Sequence, residues 1–386
     1  MTMKIGIDIS LSVGQPAGVG VYSSQLVQGL AQLDHVNEYT LFPFFYYIMH
    51  PDYKQLNIVS QYNFKNKFQH LSKVWIDYLW NTSDLDRSDI LGSLDILHST
   101  TFCVPSNIKS KLVVTIHDIS FETHPQFHVK TNIDHCRKGT LDAVRCADKI
   151  IAVSEHTKRD LILYFQCDAE KIAVIYHGSN TILKRTIDKD IFQPICQKYY
   201  IYKPYIFNVG TIEPRKNILS LIKAYAGLSP QLQAQYDLVI AGGRGWLDDS
   251  IFEFVKEKNL QEQIKFLGYV SDHELASLYS NAEVFVYPSF YEGFGFPILE
   301  AMACGAPVIC SNTSSMPEVG GDAALYIDPT QKDQGVQNIQ SYLEQLLGQS
   351  KELENLRTKS LKQAKNFSWK NCAQKTLELY QSIVNV

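Results

Sequence analysis

The chain of 386 residues has no run of about 18 apolar residues, so nothing in it reads as a membrane-spanning helix. The nearest candidate, Leu41 to Met49, is too short and carries a proline. No two cysteines stand as Cys-x-x-Cys, which speaks against a zinc or thioredoxin-like site. The 8 cysteines (Cys103, Cys136, Cys146, Cys167, Cys196, Cys304, Cys310 and Cys372) lie mostly in apolar segments and read as free thiols of a reducing compartment. An excess of positive charge is also missing. The net charge of −4 argues against nucleic acid as the main partner, because a phosphate backbone is met by a basic surface. The opening segment Met1 to Ile9 has too short an apolar run for a signal peptide and reads as a buried strand, so a cytoplasmic protein is the expectation.

What is present is the composition of a globular protein, 45% hydrophobic and 20% charged, with length enough for two domains. Short apolar runs alternate with helical patterns. Strands are expected at Lys4–Ile9, Asp95–His98, Leu112–Ile116, Lys149–Val153 and Ile172–Tyr176 in the first half. In the second half they are expected at Tyr205–Val209, Asp237–Ala241, Ile264–Phe266, Val284–Tyr287, Pro307–Cys310 and Ala324–Ile327. Such alternation implies α/β units with parallel, doubly wound sheets and crossover helices. A polar stretch between Leu183 and Tyr205 marks the boundary. It gives a first domain at 1–185 and a second at 200–368, with a final amphipathic helix at about 369–386 behind the cap residue Ser368. In the architecture that the motifs below resemble, such a helix crosses back to the first domain. Doubly wound sheets hold ligands at the carboxyl ends of their strands, and two facing units would place the ligand in the cleft between them.

The strongest local signal is Glu292-Gly293-Phe294-Gly295-Phe296-Pro297-Ile298-Leu299-Glu300, directly after an expected strand. Gly293 and Gly295 let backbone approach a ligand closely, and Pro297 suits the first turn of a helix. A helix N-terminus fed by such a loop attracts an anion such as a diphosphate. Glu292 and Glu300 flank the loop and can face one ligand from two sides, although a helix entry with surface acids has the same pattern. The second signal is Gly210-Thr211-Ile212-Glu213-Pro214-Arg215-Lys216-Asn217, where the adjacent Arg215 and Lys216 form a phosphate clamp or a solvated charge pair. A third is Gly14-Gln15-Pro16-Ala17-Gly18-Val19-Gly20, in which Gly18 and Gly20 admit a ligand or simply make the turn. His117-Asp118, Ser154-Glu155, Gly242-Gly243-Arg244-Gly245 and Gly268-Tyr269-Val270 each follow an expected strand and complete the set.

Together these residues resemble the GT-B glycosyltransferases of the large retaining family numbered four, with Pro317-Glu318-Val319 also in order. The resemblance covers essentially the whole chain. It implies the GT-B fold, two Rossmann-like doubly wound domains facing across a cleft, and transfer of a hexose from a nucleotide-sugar donor with retention of configuration. It implies that Glu300 binds the donor ribose. Glu292 lies near the donor sugar, with backbone N–H groups of Gly293 to Phe296 around it. Arg215 and Lys216 neutralise the diphosphate, His117 lies near the transferred sugar, and backbone at Tyr269 and Val270 holds the base. Gly18, Gly20, Gly210, Thr211 and Gly242 fall to the donor site, and Asp118, Ser154 and Glu155 to the acceptor side. Many relatives carry an arginine where this chain has Thr211, so the cationic work rests on Arg215 and Lys216. The subgroup with this threonine and a His-Asp pair points to GDP-mannose and to bacterial surface polysaccharide, including lipopolysaccharide.

No Asp-x-Asp stands in a donor loop, so no metal or other cofactor is expected, and front-face attack needs no carboxylate base. Other readings on the same architecture are a UDP-sugar-dependent transferase, a nucleotide-sugar 2-epimerase, a sugar phosphorylase, or a non-catalytic sugar-binding protein. The acceptor, a glycan or a lipid-linked sugar, has no signature of its own. Segment Phe64–Trp80, with Lys65, Lys67, Lys73, Trp75 and Trp80, fits peripheral contact at the inner face of a membrane and equally fits an ordinary amphipathic surface helix.

Overall fold

In this chain the apolar runs are buried on both faces, as parallel strands are. Runs such as Asp237-Leu238-Val239-Ile240-Ala241 and Val284-Phe285-Val286-Tyr287 are buried at every position. The computed structural model describes residues 2–12, 18–42, 58–67, 91–104, 108–245 and 249–384. These divide into two compact units: Met1–Gly178 with Ser368–Val386, and Ser179–Phe367. The segment from Ser179, including the helix Lys189–Tyr199, belongs with the second unit.

The first unit holds a seven-stranded sheet. Its strands are β1 (Lys4–Asp8), β2 (Glu38–Phe42), β3 (Phe64–Asn66), β4 (Ile96–Ser99), β5 (Lys111–Ile116), β6 (Lys149–Ala152) and β7 (Ile172–Val174). All pairings are parallel, in the order β3-β2-β1-β4-β5-β6-β7. Strands β2 and β3 extend this sheet beyond the sequence expectation. They are pinned by buried side chains: Asn63 donates to the Asn37 carbonyl at 2.8 Å, and Asn37 donates to Asp34 at 2.7 Å. The last helix, Trp369–Val384, packs on the helix Val19–Leu33, with Gly29 against Ala373. Its Tyr380 hydroxyl meets Nδ1 of buried His98 at 2.6 Å, so the C-terminal tail is part of the first unit's core.

The second unit holds β8 (Tyr205–Val209), β9 (Asp237–Ala241), β10 (Ile264–Gly268), β11 (Val284–Tyr287), β12 (Val308–Ser311) and β13 (Ala324–Ile327). They form a six-stranded parallel sheet in the order β10-β9-β8-β11-β12-β13. Its core joins Ile206, Ile240, Val286 and Ile309 of the strands to Leu221, Tyr225, Leu343 and Leu346 of the covering helices. In both sheets strand order reverses beside the first strand, between β1 and β4 and between β8 and β11. Ligands of open α/β sheets bind outside the carboxyl ends of strands at such a switch point. Among the described residues no helix is long and apolar enough to cross a membrane. Residues Phe68 to Trp80 of the proposed membrane segment, and 13–17 of the first glycine loop, lie outside the described residues.

Candidate active site

Two chain segments leave the sheet of the second unit at its switch point: Gly210 to Asn217 after β8, and Pro288 to Gly295 after β11. They are laced together. Phe290 N–H donates to the Arg215 carbonyl at 2.9 Å, and Asn217 Nδ2 donates to the Pro288 carbonyl at 3.1 Å. This fixes Arg215 and Lys216 against the second segment, 76 positions away in sequence.

Glu292 Oε1 collects the charge. It accepts from Lys216 Nζ at 2.7 Å, from the Ser289 hydroxyl at 2.7 Å and from the Tyr287 hydroxyl at 2.9 Å, and it lies 3.1 Å from Arg215 Nη1. The same Nη1 donates to the Tyr291 carbonyl at 2.8 Å, and Nη2 is held by Glu213 Oε1 at 2.7 Å. Burial alone would push the Glu292 carboxyl up, but Arg215 and Lys216 outweigh it and hold the group at about 2. Burial lowers the Lys216 ammonium from its ordinary value, against the attraction of Glu292. Two cations and two carboxylates thus form one largely buried cluster without net charge, with the cations fixed in place.

Gly295 caps the helix Phe296–Ala303 with φ of 103°, a left-handed conformation that suits glycine. Upstream, the Ser315 hydroxyl donates to the carbonyls of Glu292 and Phe294, both at 2.8 Å, and holds the loop in shape. Glu300 lies one turn into that helix and accepts from the Tyr279 hydroxyl at 3.2 Å. Burial raises its carboxyl to about 7, so near neutrality it titrates between an acid and a hydroxyl acceptor. Gly242 stands where an added Cβ would lie 2.0 Å from the Gly210 carbonyl oxygen, so its glycine is required by close backbone packing between the two strand exits. Tyr269, after β10, is 65% exposed, and Val270 beside it is buried. Thr211 is exposed, and Arg215 and Lys216 carry the cationic cluster.

In the first unit, His117 follows β5 and donates from Nε2 to the Thr100 carbonyl at 2.9 Å, since a carbonyl can only accept. That bond leaves Nδ1 as the acceptor nitrogen. Burial lowers the imidazole from its ordinary value, so a neutral ring with a fixed tautomer is presented. Its edge rests on Tyr22 with centroids 5.0 Å apart. Gly18 has φ of 51° with open space beside it, and Gly20 is buried in the following helix. Two acceptor-side residues have other employment. Asp118 Oδ1 accepts from the N–H and hydroxyl of Ser120 at 2.8 and 2.7 Å, which makes a turn. Ser154 is buried and caps the helix Glu155–Phe165, accepting from Thr157 N–H at 3.1 Å. A strand end followed by serine and glutamate is also how a helix starts, and here the cap explains the serine. Glu155 is exposed in the first turn of that helix.

Sequence patterns did not single out Tyr287, Ser289 and Tyr279, and they gave Glu213 no role. Tyr287 and Tyr279 read as core aromatics. Only their hydroxyl contacts to the two glutamates set them apart. Among the described residues no group of three or more His, Cys, Asp and Glu side chains is placed to hold a metal ion.

The family model for glycosyltransferase family 4 matches residues 16–182, and that for glycosyl transferases group 1 matches residues 198–363. O-antigen chain mannosyltransferase B of Escherichia coli is 38% identical over 74% of each chain. The chain is a family 4 glycosyltransferase. Serotype-specific mannosyltransferase WbdA of the same organism is 30% identical over 72% of this glycosyltransferase, which spans only 34% of that longer relative. Among solved structures, HepE of Anabaena, determined with UDP and glucose, has a TM-score of 0.72 at 19% identity, over 98% of this chain and 100% of that one. That likeness shows the GT-B fold, two parallel α/β sheets, and not the substrate.

Proposed function

We propose that this glycosyltransferase transfers mannose from GDP-mannose, with retention, to a growing glycan or lipid-linked acceptor of a bacterial surface polysaccharide. The observation that carries the reading is the largely buried Arg215–Lys216–Glu292 cluster at the β8/β11 switch point. The likeness to an O-antigen chain mannosyltransferase supports mannose as the sugar.

Arg215 and Lys216 take the diphosphate, with the N-terminus of the helix Phe296–Ala303 adding its dipole. Glu292 then exchanges part of its hold on the cations for hydroxyls of the donor sugar. Glu300 accepts from the ribose, and backbone at Tyr269 and Val270 holds the base. In the first unit, neutral His117 offers Nδ1 to a sugar hydroxyl. The charge that develops on the leaving diphosphate meets fixed cations, which lowers the barrier without reorganisation. The leaving phosphate oxygen accepts the acceptor's hydroxyl proton as the new glycosidic bond forms on the same face, so no side-chain base and no metal is required. Where the protein sits follows from its acceptor: a lipid-linked one places it at the inner face of the membrane.

A donor screen tests the reading, with GDP- and UDP-sugars read by thermal shift and product mass in the presence of EDTA. GDP-mannose is expected to stabilise the protein and to yield a mannosylated product despite chelation. Preference for a UDP-sugar would overturn the donor. Activity lost in EDTA and restored by magnesium or manganese would overturn Arg215 and Lys216 as the complete diphosphate clamp.

A further inference from the structure

The second unit carries a groove that shares no residue with the cluster around Glu292. Its volume is about 670 Å³, and it runs between Lys198 to Tyr202 and the edge strand β10. At the end of the helix Lys189–Tyr199, where glycine usually ends a helix, Tyr200 takes the left-handed conformation at φ of 56°. Ile201 turns inward and is 2% exposed, whereas Tyr200 and Tyr202 are 67% and 72% exposed. Two large rings are therefore held out to solvent on either side of an anchored residue.

The charges beside them are balanced. Lys198 is paired with Glu274 at 2.6 Å, and Lys265 of β10 acts on the Asp237 carboxylate, which also pairs with Lys203 at 3.5 Å. Gln261 and Glu262 line the same groove and bring amide and carboxylate groups. An anionic lipid surface draws on an excess of positive charge, and here Lys198, Lys203 and Lys265 are matched by Glu274, Asp237 and Glu262. A neutral polyhydroxyl chain wants what is present: flat apolar rings with polar tips for its C–H faces, and donors and acceptors for its hydroxyls. Tyrosine gives such contact area at little cost in side-chain freedom.

We propose that this groove is a second carbohydrate site that holds a stretch of the acceptor glycan away from the point of transfer. Its size fits an oligosaccharide of a few sugars. The proposal rests on the reading of the chain as a polysaccharide mannosyltransferase. It predicts a preference for long acceptors, because a chain held at two places binds with a raised effective concentration at the second.

The test compares the wild type, the double variant Tyr200→Ala/Tyr202→Ala and the single variant Tyr202→Phe. Binding of a long α-linked manno-oligosaccharide, of α-linked mannobiose and of phosphatidylglycerol vesicles is titrated without nucleotide, and thermal unfolding checks each protein. The long oligosaccharide is expected to bind the wild type and Tyr202→Phe alike and the double variant about tenfold more weakly. In transfer assays the double variant should show a raised KM for the long acceptor, with kcat on mannobiose and affinity for GDP unchanged. Equal binding of the long oligosaccharide to a folded double variant would overturn the site, as would wild-type binding of vesicles and not of oligosaccharide. Failure of the mannosyltransferase reading looks different: every variant is inactive with GDP-mannose, while the titration still reports on the groove.

Discussion

The two units share a parallel doubly wound sheet but arm the carboxyl ends of its strands differently. In the second, the exits of β8 and β11 are joined by charge: Glu292 Oε1 lies within 3.1 Å of two cations and accepts from two hydroxyls as well. In the first, the exits of β5 and β6 present a neutral imidazole fixed by the Thr100 carbonyl, and Asp118 and Ser154 are turned to local backbone. A nucleotide diphosphate needs fixed positive charge. A sugar hydroxyl needs only a well-placed neutral acceptor, and the proposed division of labour between the two halves rests on that contrast.

The comparison breaks most visibly at the tail. Deleting residues from Asn371 onward removes Leu377, Tyr380 and Ile383 from the core of the first unit and leaves His98 Nδ1 without Tyr380. A loss on the order of 5 kcal/mol is expected from the apolar burial alone. Hydrogen exchange should accelerate in β5 and β6 and hardly change in β8 and β11. Equal loss in both units would mean that they do not fold as separate cores.

Next in size is Lys216→Ala. It takes one fixed cation from the diphosphate and leaves Glu292 with only Arg215 for an ionic partner. A fall in kcat of about 100- to 1000-fold is expected, on the scale of losing one preorganised donor. His117→Ala, in the neutral half, should cost less. A larger loss for His117 would reverse the proposed division of labour.

Glu300→Ala should weaken nucleoside diphosphate binding by roughly 1.5–3 kcal/mol, as for a hydrogen bond to a charged group, read by isothermal titration. The pH dependence carries the sign. Burial raises the folded carboxyl to about 7 from an ordinary 4.5, so between those values the folded state holds a proton that the unfolded chain gives up. The stability associated with Glu300 is therefore greatest at low pH and declines as pH rises through about 7. Ribose binding to the ionised form runs the other way. Affinity should rise across that interval in the wild type and stay flatter in Glu300→Gln. Parallel profiles for the two proteins would remove Glu300 from the ribose.

The smallest effect separates a cap from a ligand. Ser154→Ala should cost about 1 kcal/mol of stability through the lost helix cap and leave KM for the acceptor unchanged. A raised acceptor KM in a protein of wild-type stability would restore Ser154 to the site.

Legibility in the sequence varied for physical reasons. Strands β8, β9, β11 and β13 have the ends expected from sequence, because each is a short apolar run bounded by polar or turn residues. Strands β2 and β3 were not expected. Glu38-Tyr39-Thr40-Leu41-Phe42 merges into the apolar stretch behind it, and Phe64-Lys65-Asn66 is too short for any period to show. The segments that carry Arg215, Lys216, Glu292 and Glu300 stand out because glycine, proline and charge gather at a strand's end, although a helix start or a solvated charge pair has the same pattern. Ser154 and Asp118 were less decidable, since the same residue types start helices and turns.

Two α/β units, the glycine loop that feeds a helix, and the charged residues at the strand ends are legible in the chain alone. These are local properties, set by patterns within about 10 to 20 neighbouring residues. Packing alone sets Glu292 on both cations, turns the hydroxyls of Tyr287 and Tyr279 to the two glutamates, and joins Tyr380 of the tail to His98. Those contacts join positions far apart in the chain, as 76 residues separate Lys216 from Glu292. Their geometry is fixed by strand order and packing, to which no local pattern refers.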